Sequence, residues 1–232
     1  MPGRAIVANV SFGDTTLPKI DITYIAPLAG ATYDFAVDQL PLGPVASWTN
    51  LVDGAASFVA DGATMPTVIT DGASKTVRFN GTIDRMKLTL NMNTAHSVVV
   101  VAKLRAPVAN DQIFFGFGAN TEGAIGANSA GTGYTGYGGG NSVATSPAVV
   151  PDAGWHVFIL TQQGTGSAVR VDSAETPGTL TVAQRNGITL GFSSAAGNRA
   201  AIDYKRVAVI PGTMTTATRT AIVAQLKAQY GI

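Results

Sequence analysis

The chain has 232 residues, 46% of them hydrophobic and only 12% charged, with a net charge of +1, 27 glycines and no cysteine. That is long enough for one large β domain or two small ones with a substantial core. It excludes a disulfide framework and a thiolate metal site. With no Lys/Arg run, it also lacks the electrostatic footprint of a nucleic-acid binder. No apolar run reaches the roughly 20 residues of a membrane span. The first ten residues lack the apolar stretch of a signal peptide, so synthesis in the cytoplasm without a leader is expected. So little charge fits either a surface of Thr, Ser and Asn or a subunit whose flanks neighbours bury, because interface cores are depleted in charge.

In chain order, Arg4–Phe12 and Ile20–Ile25 read as extended segments, punctuated by Pro18, Pro27, Pro41 and Pro44. Proline removes a backbone donor and keeps the preceding residue extended. Residues 1–45 are therefore expected to form an N-terminal arm or docking segment, with the main domain at 46–232. The alternative is that they supply the first edge strands of that domain. From Trp48 onward, strand signals bounded by Gly, Asp, Asn or Pro recur at Ala56–Ala60, Thr76–Phe79, Met86–Leu90, Ser97–Leu104, Gln112–Phe117, Trp155–Thr161, Ala168–Val171, Ile188–Phe192 and Ala200–Ile210. Met86–Leu90 alternates and should have one buried and one wet face. Val98–Ala102 does not alternate and should be a central strand covered on both faces. Many short strands with turn signals imply a sandwich or barrel.

Residues 118–153 read as a long loop around Gly131–Asn141, a segment with six glycines that is unlikely to sit in a sheet centre. Long loops in compact domains often carry function. Tyr134 and Tyr137 could stack on a sugar while Asn141 fixes hydroxyls, which makes these three the candidate glycan-binding residues. The other reading is a surface hairpin whose tyrosines lie on their own domain. The last element is the one convincing helix, Thr215–Tyr230. It has a threonine N-cap, a stripe of Ile222, Val223, Leu226 and Tyr230, and Gly231 placed to end it. Arg219 and Gln225 are expected to face away from that stripe.

The order of blocks carries a resemblance. Trp48–Asp53, Val77–Gly81 with Asp84, Ser97–Lys103, Gly154–Phe158, Ile188–Gly191 and the closing strand, Pro-Gly turn and helix resemble the concanavalin A-like lectin/glucanase sandwich in its laminin-G-like form. That form is found in structural proteins of tailed bacteriophages and in bacterial surface proteins. The resemblance covers about residues 46–232. It implies an all-β, two-sheet antiparallel jelly-roll sandwich, to which the reading of the residues adds the C-terminal amphipathic helix and the N-terminal extended arm. Trp48, Phe79 and Trp155 would then be packing residues.

Some members of that fold are glucanases with Glu-x-Asp-x-x-Glu on one strand. This chain has two glutamates, Glu122 and Glu175, in separate segments, so the paired carboxylates of glycoside hydrolysis are not expected. His96 and His156 have no nucleophile elbow beside them and are too few for a zinc site. No catalytic residue and no metal ligand is assigned. Ca²⁺ enters through the resemblance alone, with Asp84, Asp172 and Asp203 as candidate carboxylates but no clustered Asp-x-Asp loop. The functional expectation is a non-enzymatic structural component of a tailed-phage virion. It would be a minor tail or tail-tip protein, with capsid decoration as the other location, and would be homo-oligomeric. It would contact other virion proteins through residues 1–45 and host-surface polysaccharide through the Gly-Tyr segment. The alternatives are a carbohydrate-binding module of a bacterial surface protein and a glycoside hydrolase.

Overall fold

A computed structural model describes residues 25–106, 112–116, 123–128, 130–145, 149–182, 185–191 and 200–232. In chain order the strands are β1 (Tyr33–Ala36), β2 (Gly43–Pro44), β3 (Ser47–Thr49), β4 (Ser57–Ala60), β5 (Thr67–Asp71), β6 (Ser74–Asn80), β7 (Met86–Met92), β8 (His96–Leu104), β9 (Gln112–Gly116), β10 (Ala124–Ala127), β11 (Tyr134–Gly138), β12 (Asn141–Ala144), β13 (His156–Gln162), β14 (Gly164–Val171), β15 (Ala174–Leu180), β16 (Arg185–Leu190) and β17 (Ala201–Pro211), followed by helix α1 (Thr216–Tyr230). They form two antiparallel sheets. Sheet A runs β15-β14-β13-β8-β17-β6-β5-β2, with β1 also on β17, and sheet B runs β12-β11-β10-β9-β16-β7-β4-β3. This is the expected all-β two-sheet sandwich closed by one helix.

Each strand's sequence states how it is covered. In β7, Met86, Leu88, Leu90 and Met92 are buried while Lys87, Thr89 and Asn91 are exposed, so one face meets the core and the other water. In β8 the Val98–Val101 run is buried throughout. Val98 and Val100 join the core between the sheets, and Val99 and Val101 join a second cluster with Ile222, Val223 and Leu226 of α1. The helix thus lies on the outer face of sheet A. Thr215 caps it by accepting from Thr218 N, and Gly231 ends it in the left-handed region. Burial of Val, Leu, Ile and Phe side chains, about 1.5–3 kcal/mol each, drives the assembly. Phe35, Trp48, Phe58, Phe79, Phe114, Phe115 and Phe158 are its largest apolar pieces.

Several expectations need correction. Residues 25–45 belong to the sandwich, since β1 pairs with β17, β2 pairs with β5, and Phe35 is in the main core. The boundary expected near residue 45 falls between β2 and β3, and residues 1–24 lie outside the described residues. The Gly-Tyr segment is two paired strands, β11 and β12, with β11 inside sheet B. Its glycines are there because the two sheets approach closely: a Cβ on Gly136 would run into Val169 and Leu160, and one on Gly138 into Gln162 and Leu180. Arg219 is buried and does not face solvent. Its guanidinium donates to Glu175 at 2.6 and 3.0 Å and to the Met214 carbonyl at 2.6 Å, pinning the first turn of the helix to β15. Trp155 is a packing residue as expected, half-buried against the second cluster on the outer side of sheet A.

Candidate functional site

The two outer faces of the sandwich differ in cover. Among the described residues, no helix lies on sheet B. Its β3–β4–β7 flank presents the outward positions of three short strands: Ser47 and Thr49, Ser57 and Val59, then Lys87 and Thr89. Their backbones align Val59 with Ser47 on one side and with Lys87 on the other. Between β4 and β7 lies an open depression of about 380 Å³, with Ser57, Val59, Asp61, Lys87 and Thr89 on its walls. Asp61 is loosely held by Arg85 at 3.4 Å, both side chains being well exposed, so its carboxylate remains open to a ligand. Hydroxyls, one ammonium and one carboxylate on rigid strands supply both donors and acceptors, which is the chemistry that holds a polyhydroxylated ligand.

The three residues singled out from sequence are not brought onto one surface. Tyr134 is fully buried and its ring packs on Phe114 and Phe158. Burial also pushes its hydroxyl well above the usual tyrosine range. Tyr137 lies between inward-facing Gly136 and Gly138, so it points outward from sheet B and is half-buried. Asn141 is exposed but pairs with Gly138, which places it on the side opposite Tyr137. Tyr137 shares the outer face with the β4–β7 depression, with β10, β9 and β16 between them. At about 4.8 Å per strand that is roughly 19 Å, too far for one sugar ring. Sequence reasoning missed the depression; the signal for it was the alternation in Met86–Met92.

Both histidines and Glu175 are committed to structure. His156 is bracketed by two aspartates, Nδ1 at 2.7 Å from Asp172 and Nε2 at 2.9 Å from Asp152. Burial works against its charge, but the hydrogen bonds from Asp172 and Asp152 outweigh it and raise the pKa. Lys227 of α1 reaches the same Asp172 at 3.2 Å. His96 is fully buried, hydrogen-bonded at Nδ1 to the Thr94 carbonyl and at Nε2 to Arg185 Nε. Burial first, then the Arg185 charge, hold its pKa down to about 4. Glu175 is lowered to about 2, chiefly by Arg219.

Glu122 lies outside the described residues. Asp84 accepts from Thr64 Oγ1 and Asn80 N, Asp172 serves His156, and Asp203 is enclosed by Arg78, Lys103 and Arg105. The three carboxylates expected for Ca²⁺ are therefore in three different networks. No group of three or more His, Cys, Asp or Glu side chains placed for a metal occurs among the described residues.

No family model and no curated protein matches this sequence. Solved structures match its fold. A sialidase of Trypanosoma rangeli aligns with a TM-score of 0.63 at 12% identity, over 87% of this chain and 33% of the sialidase. Domain 4 of AbnA, an extracellular GH43 arabinanase of Geobacillus stearothermophilus, determined in complex with arabinotriose, aligns with a TM-score of 0.63 at 14% identity, over 83% of this chain and 98% of that domain. The binding domain of Paraclostridial Mosquitocidal Protein 1 aligns with a TM-score of 0.65 at 9% identity, over 85% of this chain and 52% of that domain. This chain spans about a third of the sialidase's length. At these identities the likeness is one of fold: a two-sheet sandwich that recurs both within larger enzymes and in binding domains.

Proposed function

We propose that the chain is a non-catalytic recognition module whose ligand is a glycan, held on the β3–β4–β7 flank of sheet B. The observation that carries this reading is the open depression walled by Ser57, Asp61, Lys87 and Thr89 on a sheet face that no helix covers among the described residues. The fold likeness to an arabinanase domain determined with arabinotriose supports the ligand class. The ion-paired state of Glu175 supports a non-catalytic role, because a carboxylate held by two arginines and a threonine is neither acid nor free nucleophile. Tyr137 extends the surface for a longer chain.

At finer scale the reading places this module in a tailed-phage virion, as a homo-oligomeric minor tail or tail-tip protein facing host-surface polysaccharide and docked on other virion proteins through its N-terminal residues. The charge-poor, cysteine-free composition supports that placement.

A glycan array with the wild type and with Lys87→Ala/Thr89→Ala tests the ligand class and the site together. Binding to one family of glycans, lost in the double variant while its melting temperature holds, is the expected result. Release of reducing ends from β-glucans or arabinan by the wild type would instead make the protein a hydrolase. Loss of particle incorporation on deleting residues 1–24 is the outcome expected of the virion placement.

A further inference from the structure

The outer face of sheet A carries a second polar feature, beyond the end of α1 and on the opposite side of the sandwich from the β4–β7 depression. The chain has 15 Lys and Arg residues in all. Four of them meet here, three on the neighbouring strands β6, β17 and β8 and Arg105 just past the end of β8. The register sets Arg78 of β6, Asp203 of β17 and Lys103 of β8 side by side in one row. Arg105 lies two residues beyond Lys103 on the same face. Lys205 lies just after, at the bulge of β17.

Two carboxylates face these four cations, and both are used. Asp203 is fully buried and receives Arg78 Nε and Nη2 at 2.9 and 2.8 Å, with Arg105 Nε at 3.5 Å and Lys103 Nζ at 3.9 Å. Asp71 takes Lys103 Nζ at 2.6 Å. Arg105 Nε is buried and makes no hydrogen bond, and its Nη2 donates to the Phe79 carbonyl at 2.6 Å. The Lys205 ammonium is 4.5 Å from the Trp155 ring centre and 5.5 Å from that of Tyr230, and Lys103 is 5.0 Å from the same Trp155 ring. The cations are also reachable: the side chains of Arg78, Arg105 and Lys103 are 36%, 30% and 16% exposed, whereas Asp203 has no exposure. Asp71 is 29% exposed and Lys205 is buried, so this face presents to solvent the two arginines and Lys103 with one carboxylate among them, a net excess of donors and positive charge.

We infer that Arg78, Lys103 and Arg105, backed by Lys205 and Trp155, form a binding patch for the anionic groups of an acidic polysaccharide. A carboxylate or sulfate fits the guanidinium and ammonium donors through charge-assisted bonds. The patch spans β6, β17 and β8, two strand spacings or about 10 Å, which suits one or two charged sugars. A nucleic acid needs a longer phosphate track, and no Lys/Arg run supplies one.

The test is isothermal titration of the full chain with heparin, which carries sulfates, with polygalacturonate, which carries only carboxylates, and with neutral dextran. Binding of at least one acidic chain that weakens as salt rises, with none to dextran, is expected. Lys103→Gln/Arg105→Gln should weaken it about tenfold, as expected for two partly exposed ion pairs, while Lys103→Arg retains it and Lys227→Gln, on the helix, leaves it unchanged. A measurement free of variants accompanies it: heparin or polygalacturonate should protect Lys103 of the wild type from acetylation. Absence of binding to both acidic chains, undiminished binding by the double variant, lack of protection, or equal affinity for single-stranded DNA would each overturn the assignment. None of these results bears on the β4–β7 depression.

Discussion

The two outer faces of this sandwich are built from similar strands and treated in opposite ways. On sheet A, Val99, Val101, Val157, Ile159 and Ala208 face outward and are sealed by Ile222, Val223 and Leu226 of α1. Around that seal the charges are locked in pairs: Arg206 with Asp34 at 2.6 Å, Arg219 with Glu175 at 2.6 Å, and Arg78 with Asp203 at 2.8 Å. On the β3–β4–β7 flank of sheet B the outward positions are Ser, Thr, Val and Lys, and no helix lies over them among the described residues. The difference teaches where function can reside. Under the helix the face holds the fold together and its polar groups are spent internally, while the Arg78, Lys103 and Arg105 corner beyond α1 keeps part of its side-chain surface open. The open flank's outward side chains lie at the surface, where a ligand can reach them.

Substitutions should separate the faces by the size of their effect on stability. The largest loss is expected from Asp34→Ala. It leaves Arg206, 1% exposed, without its carboxylate, and it also removes the acceptor for Leu28 N. Stripping one partner from a buried pair costs about 3–5 kcal/mol, readable in urea denaturation. Leu226→Ala, at a fully buried site under the helix, should cost about 3 kcal/mol and loosen α1, which hydrogen exchange of its amides would report.

Acid should act through His96 next. Its folded pKa is near 4 against an ordinary 6.5, so between those values the unfolded chain binds the extra proton and stability falls as the pH drops, by up to about 3 kcal/mol. His156 has the opposite sign. Its raised folded pKa gives stability that is complete below the ordinary value and is lost as the pH rises through the folded one. Urea midpoints of His96→Gln and His156→Gln across pH 4–8, compared with the wild type, would show both slopes flattening. Gly136→Ala places a methyl against Val169 and Leu160, an overpacking cost of about 1–3 kcal/mol in thermal melting. Thr89→Ala, on the open flank, should change stability by less than about 0.5 kcal/mol while lowering glycan affinity. A large stability loss there would erase the contrast between the faces.

The fold was legible where periodicity was clean. The alternation of Met86–Met92 and the unbroken valines of Val98–Val101 stated half-covered and doubly covered strands, and the Ile222–Leu226 stripe stated what covers one of them. Strands β11 and β15 were hidden because local chemistry argues against them. β11 carries glycines that only the approach of the opposing sheet explains, and β15 carries Pro177, which a sheet edge tolerates. The ion pairs were hidden for a different reason: Asp34 and Arg206 are 172 residues apart, and nothing local in either marks the other. The same holds for the candidate site. Ser57 and Thr89 look like ordinary surface residues until β4 and β7 are paired, whereas Tyr134, conspicuous in a glycine-rich segment, is drawn into the core by Phe114 and Phe158.

The central claim is that recognition of neutral glycans belongs to the open flank. The most direct test is amide chemical-shift mapping of the isotope-labelled chain during titration with a neutral glycan from the array. Shifts confined to Ser47–Thr49, Ser57–Asp61 and Lys87–Asn91, extending to Tyr137 for longer chains, are predicted. Shifts centred on α1 and β15, with β4 and β7 unmoved, would contradict it.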